Sequence, residues 1–280
     1  MSSAPALALV PPAPPAGERK PIDDLLAWIR THFGLSFTGD QRGLIESRIG
    51  SFCGTVGHTV PSLLHQLVVL QDRALTLKLA EAVSTNHTFF FRESELFDLL
   101  AKEILPSIAA RPIRIWSAAA SSGDEAYSIA ILANEVLGDA AQADVRILGT
   151  DLSERQLKTA EQAIYPAQQV ASVSAARRHK WFQPAGLGQL AIRPEARRMC
   201  TFRRMNLTTQ PWPFEQRFHV IFLRNVLYYF EPVTRRQVVE ACYDAAEPGA
   251  WLITSLTEPM LDLTTRWSAI RPAVFRKAVS

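Results

Sequence analysis

Cysteine is scarce in this chain: Cys53, Cys200 and Cys242 are its only three, widely separated and odd in number. That count argues against a disulfide framework, and the spacing provides no paired thiolates for a zinc site. The six histidines show no metal-ligand spacing either, so residues such as His87 and His219 read as structural. A strong charge of one sign is missing too. A formal net charge of +3 is too small to imply a nucleic-acid partner, and the arginines between Arg193 and Arg204 read as a solvated face. No apolar run is long enough to cross a bilayer, and residues 1–17 carry prolines where a secretory signal would carry a basic segment. The expectation is a cytoplasmic protein without membrane insertion. No Ser-His-Asp or Cys-His arrangement is legible, which turns attention away from nucleophilic catalysis by the chain itself. Oligomeric state is left open.

What the chain does have is 48% hydrophobic residues over 280 positions, enough for one large core and a smaller companion domain. Residues 1–20 are rich in Ala and Pro with little to bury, and read as a disordered tail. From Pro21, apolar residues recur at helical steps (Ile22, Leu25, Leu26, Ile29, Phe33) until Gly34 offers a stop. Asp40 is a candidate cap for a second helix marked by Leu44, Ile45, Ile49 and Phe52, with Arg42 and Arg48 on its polar surface. Further helical spacing to Val83 completes a helical N-terminal domain over residues 21–84. Residues 85–95 form a linker contributing to the site, with Phe89, Phe90 and Phe91 set between hydrogen-bonding residues and Arg92. Ser94 is then expected to cap a helix that ends before Pro106.

The central stretch runs from Ile113 to Ser128. Ile113 and Ile115 alternate with Arg114 as a strand, small residues from Ser117 to Gly123 make a turn, and Asp124 and Glu125 open an apolar helix. Carboxylates suit a helix N-terminus, and an acidic rim there favours a ligand with a cationic group over a polyphosphate. A second strand ends at Thr150-Asp151, where a doubly wound fold places the acceptor for a ribose diol. Ser153 is expected to cap a helix through Leu157, Ala160 and Ile164. An irregular stretch follows, then a short strand near Cys200, an apolar strand from Phe218 to Leu223, and Arg224 to Phe230 at its carboxyl end. A helix over residues 232–246, a Pro248-Gly249 turn, a strand over 250–255 and a closing antiparallel pair finish the chain. The fold class is α/β: a doubly wound, Rossmann-like, mostly parallel sheet with one antiparallel strand.

Five blocks, in order, then carry a resemblance. They are Thr85-Asn86-His87-Thr88-Phe89-Phe90-Phe91-Arg92, Trp116 to Ser128, Thr150-Asp151, Asn206-Leu207, and Phe222-Leu223-Arg224-Asn225-Val226-Leu227-Tyr228-Tyr229-Phe230. Together they resemble the CheR family, S-adenosyl-L-methionine-dependent methyltransferases that esterify glutamates on bacterial chemoreceptors and release S-adenosyl-L-homocysteine. The resemblance implies a methyltransferase domain over residues 96–280, with a β-subdomain inserted at about 165–205. It implies cofactor contacts at Asn86, Thr88, Arg92, Glu125, Asp151, Asn206, Leu207, Arg224 and Asn225, and places Arg92 and Tyr229 where the methyl group and incoming carboxylate are arranged. It implies a partner too: the cytoplasmic domain of a chemoreceptor-like protein, docked through the helical domain and, in some members, held by its C-terminal peptide on the β-subdomain. This sequence departs from the family where Leu256-Thr257-Glu258 replaces His-Ser-Glu. Methylation of another carboxylate, or a cofactor-binding module without turnover, are the alternative readings.

Overall fold

The computed structural model describes residues 20–37, 39–84, 88–258, 260 and 264–279, leaving aside the side chains of residues 40 and 139. Four helices come first: α1 (Pro21–Phe33), α2 (Asp40–Val56), α3 (Val60–Val68) and α4 (Arg73–Val83). Gly34 stops α1 in the left-handed conformation, φ 71°, and its N–H returns to the Arg30 carbonyl. Thr59 and Asp72 cap α3 and α4 through side-chain oxygens that accept from Ser62 and Leu75 N–H. The expected Asp40 cap is the first residue of α2 instead, after Gly39 at φ 57°, and its side chain lies outside the described residues.

Ser94 is not a cap either. It is the first residue of α5 (Ser94–Leu99), entered from Glu93 at φ 58°, and Glu93 spends its carboxylate elsewhere. Nor does the helix end before Pro106. A π-helical turn, Leu100–Ile104, carries it into α6 (Leu105–Ser107), and the Leu105 N–H bonds back to the Leu100 carbonyl. The wider turn keeps Leu100, Ile104 and Leu105 all buried, so packing outweighs the local objection to proline.

The sheet begins with β1 (Ile113–Ala118), followed by α7 (Asp124–Leu137), α8 (Ala141–Asp144), β2 (Val145–Asp151) and α9 (Glu154–Gln162). Ser153 caps α9 as the sequence implies, but Ala163 closes it at φ 57° and Ile164 starts a strand. A small three-stranded antiparallel sheet is then built from β3 (Ile164–Pro166), β4 (Phe182–Pro184) and β5 (Gln189–Ile192), with α10 (Ala175–Trp181) between β3 and β4. After α11 (Pro194–Arg197), β6 (Cys200–Arg204) joins the main sheet beside β2. The remaining elements are β7 (Phe218–Leu223), α12 (Pro232–Asp244), β8 (Ala246–Ile253), β9 (Ser268–Arg271) and β10 (Val274–Arg276). The expected Pro248-Gly249 turn is absorbed into β8, which starts at Ala246 and shows an irregular register against β7. A bulge lets a proline sit within such a strand.

The main sheet has the order β6-β2-β1-β7-β8-β10-β9, and β10 alone runs against its neighbours. That is a mostly parallel doubly wound sheet with one antiparallel strand, as the sequence implies. The order reverses direction between β1 and β7, and in such sheets ligands bind outside the strand carboxyl ends at that switch. One face packs on α7 through Ile113, Ile115, Ile147 and Phe222. The other shares a core with the N-terminal helices, in which Leu25, Ile29, Leu79 and Val83 join Trp116, Ile221 and Leu223. Two polar contacts join neighbouring strands: Trp116 Nε1 donates to Thr150 Oγ1 at 2.9 Å inside the core, and Arg114 N–H donates to His219 Nδ1 at 3.0 Å in a half-buried position. His219 is therefore structural, and burial lowers its basicity.

Candidate functional site

The carboxyl ends of β1, β2 and β7 open onto a cleft holding about 980 Å³ of empty space, its solvent-facing mouth included. The turn after β1 needs small residues for two reasons. Ala119 and Ser121 adopt positive φ, 69° and 49°, and the backbone here forms the cleft wall. At Gly123, φ 89°, a Cβ would meet the Ala160 Cβ at 2.8 Å, so only glycine lets α7 and α9 approach this closely. Gly149 is equally constrained, because a Cβ there would lie 2.5 Å from the Phe202 ring.

Asp151, at the end of β2, is 8% exposed and lines the cleft. Its Oδ2 accepts the Ser121 N–H at 2.8 Å and its Oδ1 the Ser153 N–H at 2.9 Å, which locks the carboxylate across the β1 turn. Burial raises its pKa against those backbone donors. The expectation for Asp124 is different from what the fold does with it. Its side chain is fully buried away from the cleft, accepting from Ser122 Oγ and Gln169 Nε2, and burial raises its pKa. Glu125 is the member of the acidic pair that faces the cleft.

Glu125 does not stand alone. Ser117 Oγ donates to its Oε1 at 2.7 Å, and Arg224 Nη1 donates to its Oε2 at 2.8 Å. Arg224, 4% exposed at the end of β7, also donates through Nη2 to the Arg92 carbonyl and lies 3.5 Å from Glu93 Oε2. Its Nε is buried without a hydrogen-bond partner among the described residues, and its guanidinium faces the Phe97 ring at 5.4 Å. A buried arginine between two carboxylates has its charge matched, which burial demands. Glu93 is held by the Ser255 hydroxyl, the Leu256 N–H and Arg224; although burial pushes its pKa up, these partners bring it below the ordinary range.

The third wall comes from Asn225 to Phe230 and from the N-terminal helices. Asn225 has φ 57° and its Nδ2 donates to Ser255 Oγ, while Tyr229 is 9% exposed with its hydroxyl 3.3 Å from that of Tyr228. Asn206 Nδ2 donates to the His32 carbonyl, and its Oδ1 accepts from Thr208, so its side chain ties the loop after β6 to the end of α1. Leu152, Met205 and Leu207 make an apolar panel beside it. Arg92 and Phe89 pair at the rim, the guanidinium carbon 5.8 Å from the ring centre.

Nine of the ten residues that the sequence reading brought together therefore line this one cleft: Thr88, Arg92, Glu125, Asp151, Asn206, Leu207, Arg224, Asn225 and Tyr229. The tenth, Asn86, lies outside the described residues. The reading missed Phe33, Leu35, Phe37, Val83 and Ser84, which the N-terminal helices and their connections bring into the same wall. It gave no site role to Glu93 or Glu258, which hold the wall from behind, although Glu258 stands in the Leu256-Thr257-Glu258 stretch that the resemblance picks out. The donor set suits a nucleoside carrying a cationic tail. Asp151 presents a fixed carboxylate, Glu125 a second one, and apolar side chains cover the space between.

Comparisons with known proteins bear on the family of the chain. The family described as CheR methyltransferase, SAM binding domain, matches residues 86–274. A chemotaxis protein methyltransferase of Vibrio parahaemolyticus is 31% identical over 254 residues, covering 89% of this chain and 92% of the relative. One from Borreliella burgdorferi is 29% identical, covering 90% of this chain and 92% of the relative. Among solved structures, the glycopeptide N-methyltransferase MtfA complexed with S-adenosyl-L-methionine aligns at a TM-score of 0.38 and 12% identity, over 69% of this chain and 61% of its own. With a cleft of this chemistry and a family match across most of its length, the chain belongs to the CheR methyltransferases, enzymes that take S-adenosyl-L-methionine as cofactor.

Proposed function

We propose that this enzyme methylates glutamate side chains on the cytoplasmic domain of a chemoreceptor-like protein, and that the cleft holds both the cofactor and the acceptor carboxylate. The observation that carries the reading is the convergence of those nine residues on one cleft with an arginine at its rim. Asp151 takes the ribose hydroxyls, Glu125 the cationic amino-acid end, and Leu207 with Asn206 borders the base. Thr88 and Asn225 supply hydrogen bonds to the same ligand, and Asn86 belongs with them by sequence position. When bound, S-adenosyl-L-methionine supplies a sulfonium methyl, the carbon–sulfur bond breaking as the bond to the carboxylate oxygen forms, and S-adenosyl-L-homocysteine remains.

The acceptor needs no base. A free glutamate has a pKa of about 4.3 and is already ionised near neutral pH, which fits a cleft with no nucleophile–histidine pair among the described residues. What the chain must do is align and exclude water. Alignment of this kind can supply on the order of 7 to 11 kcal/mol. Arg92, on a segment fastened by the Arg224 bond to its carbonyl, presents a planar cation that binds a carboxylate without losing its proton. Tyr229 lines the same cleft and offers its hydroxyl there, and Phe37 and Phe89 add apolar lining that disfavours water.

The test is transfer of labelled methyl from the cofactor to purified chemoreceptor cytoplasmic fragments. Base-labile label on glutamate is expected. Label on a different carboxylate moves the substrate assignment, and tight cofactor binding with no transfer to any protein or acid overturns the enzyme reading.

A further inference from the structure

Glu258 is 5% exposed and sits behind the cleft, outside its lining. Its Oε2 accepts the Asn225 N–H at 2.7 Å and its Oε1 accepts the Leu227 N–H at 2.7 Å, with a longer contact of 3.3 Å from the Ser255 N–H. One buried carboxylate thus ties two separate stretches of irregular backbone together, residues 225–230 and residues 255–258. The first, Asn225 to Phe230, carries Asn225 in the left-handed region and Tyr229 in a single 3-10 turn, Leu227–Tyr229. Neither conformation is held by a long helix or by a sheet ladder, so backbone donors there need an acceptor.

A second carboxylate grips the same corner from the other side. Glu93 Oε1 accepts the Ser255 hydroxyl at 2.6 Å, Glu93 Oε2 accepts the Leu256 N–H at 2.9 Å, and the Ser255 hydroxyl in turn accepts Asn225 Nδ2 at 2.9 Å. Residues 255–258 are therefore a clamp between the segment bearing Arg92 and the segment bearing Tyr229. The side chain at 256, where this chain has Leu in place of the family's His, takes no part: Leu256 is 47% exposed and contributes its backbone N–H.

We infer that Glu258 is a positioning residue for methyl transfer, setting the placement of Asn225 and Tyr229 against Arg92, and that the side chain at position 256 is dispensable. This rests on the reaction proposed above. Glu258→Gln keeps the size of the side chain but turns an amide N–H₂ toward backbone donors, so one of the two short bonds is lost. The experiment compares the parent with Glu258→Gln, Glu258→Asp and Leu256→Ala, well below each variant's Tm and with binding-competent enzyme counted by titration with S-adenosyl-L-homocysteine. In Glu258→Gln, kcat is expected to fall at least about tenfold, and amide hydrogen exchange across residues 225–229 to rise by a similar factor while β1 and α7 exchange as before. Glu258→Asp, which keeps the charge, is expected to recover part of kcat, and Leu256→Ala to match the parent within about twofold. If Glu258→Gln proves too unstable to count, Ser255→Ala, which removes the hydroxyl between Glu93 and Asn225, must show the same loss of kcat. A folded Glu258→Gln with parental kcat and exchange overturns the inference, as does a loss in Leu256→Ala. Failure of the parent itself to label any protein would instead strike at the proposed reaction, and the exchange measurement would still read the clamp.

Discussion

Asp151→Asn separates two roles that the carboxylate plays at once. In the structure it accepts one backbone N–H on each oxygen, from Ser121 and Ser153, while lining the cleft. Asparagine keeps one acceptor and turns an amide donor toward the other N–H. Leaving that buried donor unmet costs about 1–3 kcal/mol. The substitution also removes the penalty of burying a charge, which the raised pKa of Asp151 reveals, so the two effects oppose and stability should shift by only about 1 kcal/mol. Cofactor binding has no such offset. Charge-assisted hydrogen bonds to a ribose diol are worth about 1.5–3 kcal/mol. At about 1.4 kcal/mol per decade, the dissociation constant for S-adenosyl-L-homocysteine should rise roughly 10- to 150-fold. Calorimetric titration near neutral pH reads the affinity and thermal unfolding reads the stability. An affinity within about threefold of the parent would refute the assignment of Asp151 to the ribose.

The other expectations follow from the same walls. Because burial raises the Asp151 pKa, its protonation begins at higher pH than for an ordinary carboxylate, so affinity for S-adenosyl-L-homocysteine should weaken as pH falls through that raised value and recover as pH rises; a pH-independent titration would argue against it. Arg224→Met strands Glu125 and Glu93 without their common cation, and removing one partner of a buried pair costs about 3–5 kcal/mol, visible as a lower midpoint in urea unfolding. Gly123→Ala forces a side chain into the left-handed region and against Ala160. The conformational cost of about 1–2 kcal/mol adds to about 1–3 for overpacking, and a Tm equal to the parent's would show that α7 and α9 separate easily.

Much of the site was legible because its residues sit at positions that a doubly wound sheet makes special. Asp151 ends the second strand and Arg224-Asn225 follow an unbroken apolar strand, so period and punctuation mark those positions, while the roles expected of Arg224, Asn225 and most of the other site residues came from the family resemblance. Spacing alone does not divide the acidic pair at the start of α7, although the resemblance singles out Glu125; in the structure Asp124 turns inward to Gln169 while Glu125 lines the cleft. Local rules failed where tertiary contacts outweighed them. Ser94 lost the cap position because Glu93, held by Ser255 and Leu256, enters the helix from a left-handed conformation. Pro106 did not end its helix because a π turn accommodates it while three leucine and isoleucine side chains stay buried. The helical contribution to the cleft was invisible for a plainer reason. Phe33, Leu35 and Val83 look like any other core residues until the sheet is set against them.

Leu35 forms a bridge with Phe230, the Ser36 N–H donates to the Tyr229 carbonyl, and Asn206 reaches the His32 carbonyl. Three stitches thus join the end of the first helix to the very loops that border the reaction space. The matched catalytic region, taken from residue 86 onward, would consequently be a vessel with one side removed, its tyrosine-bearing lip unsupported and its apolar lining wet. If the proposed reading holds, a partner that shifts the leading helices would shift this tyrosine-bearing lip with them.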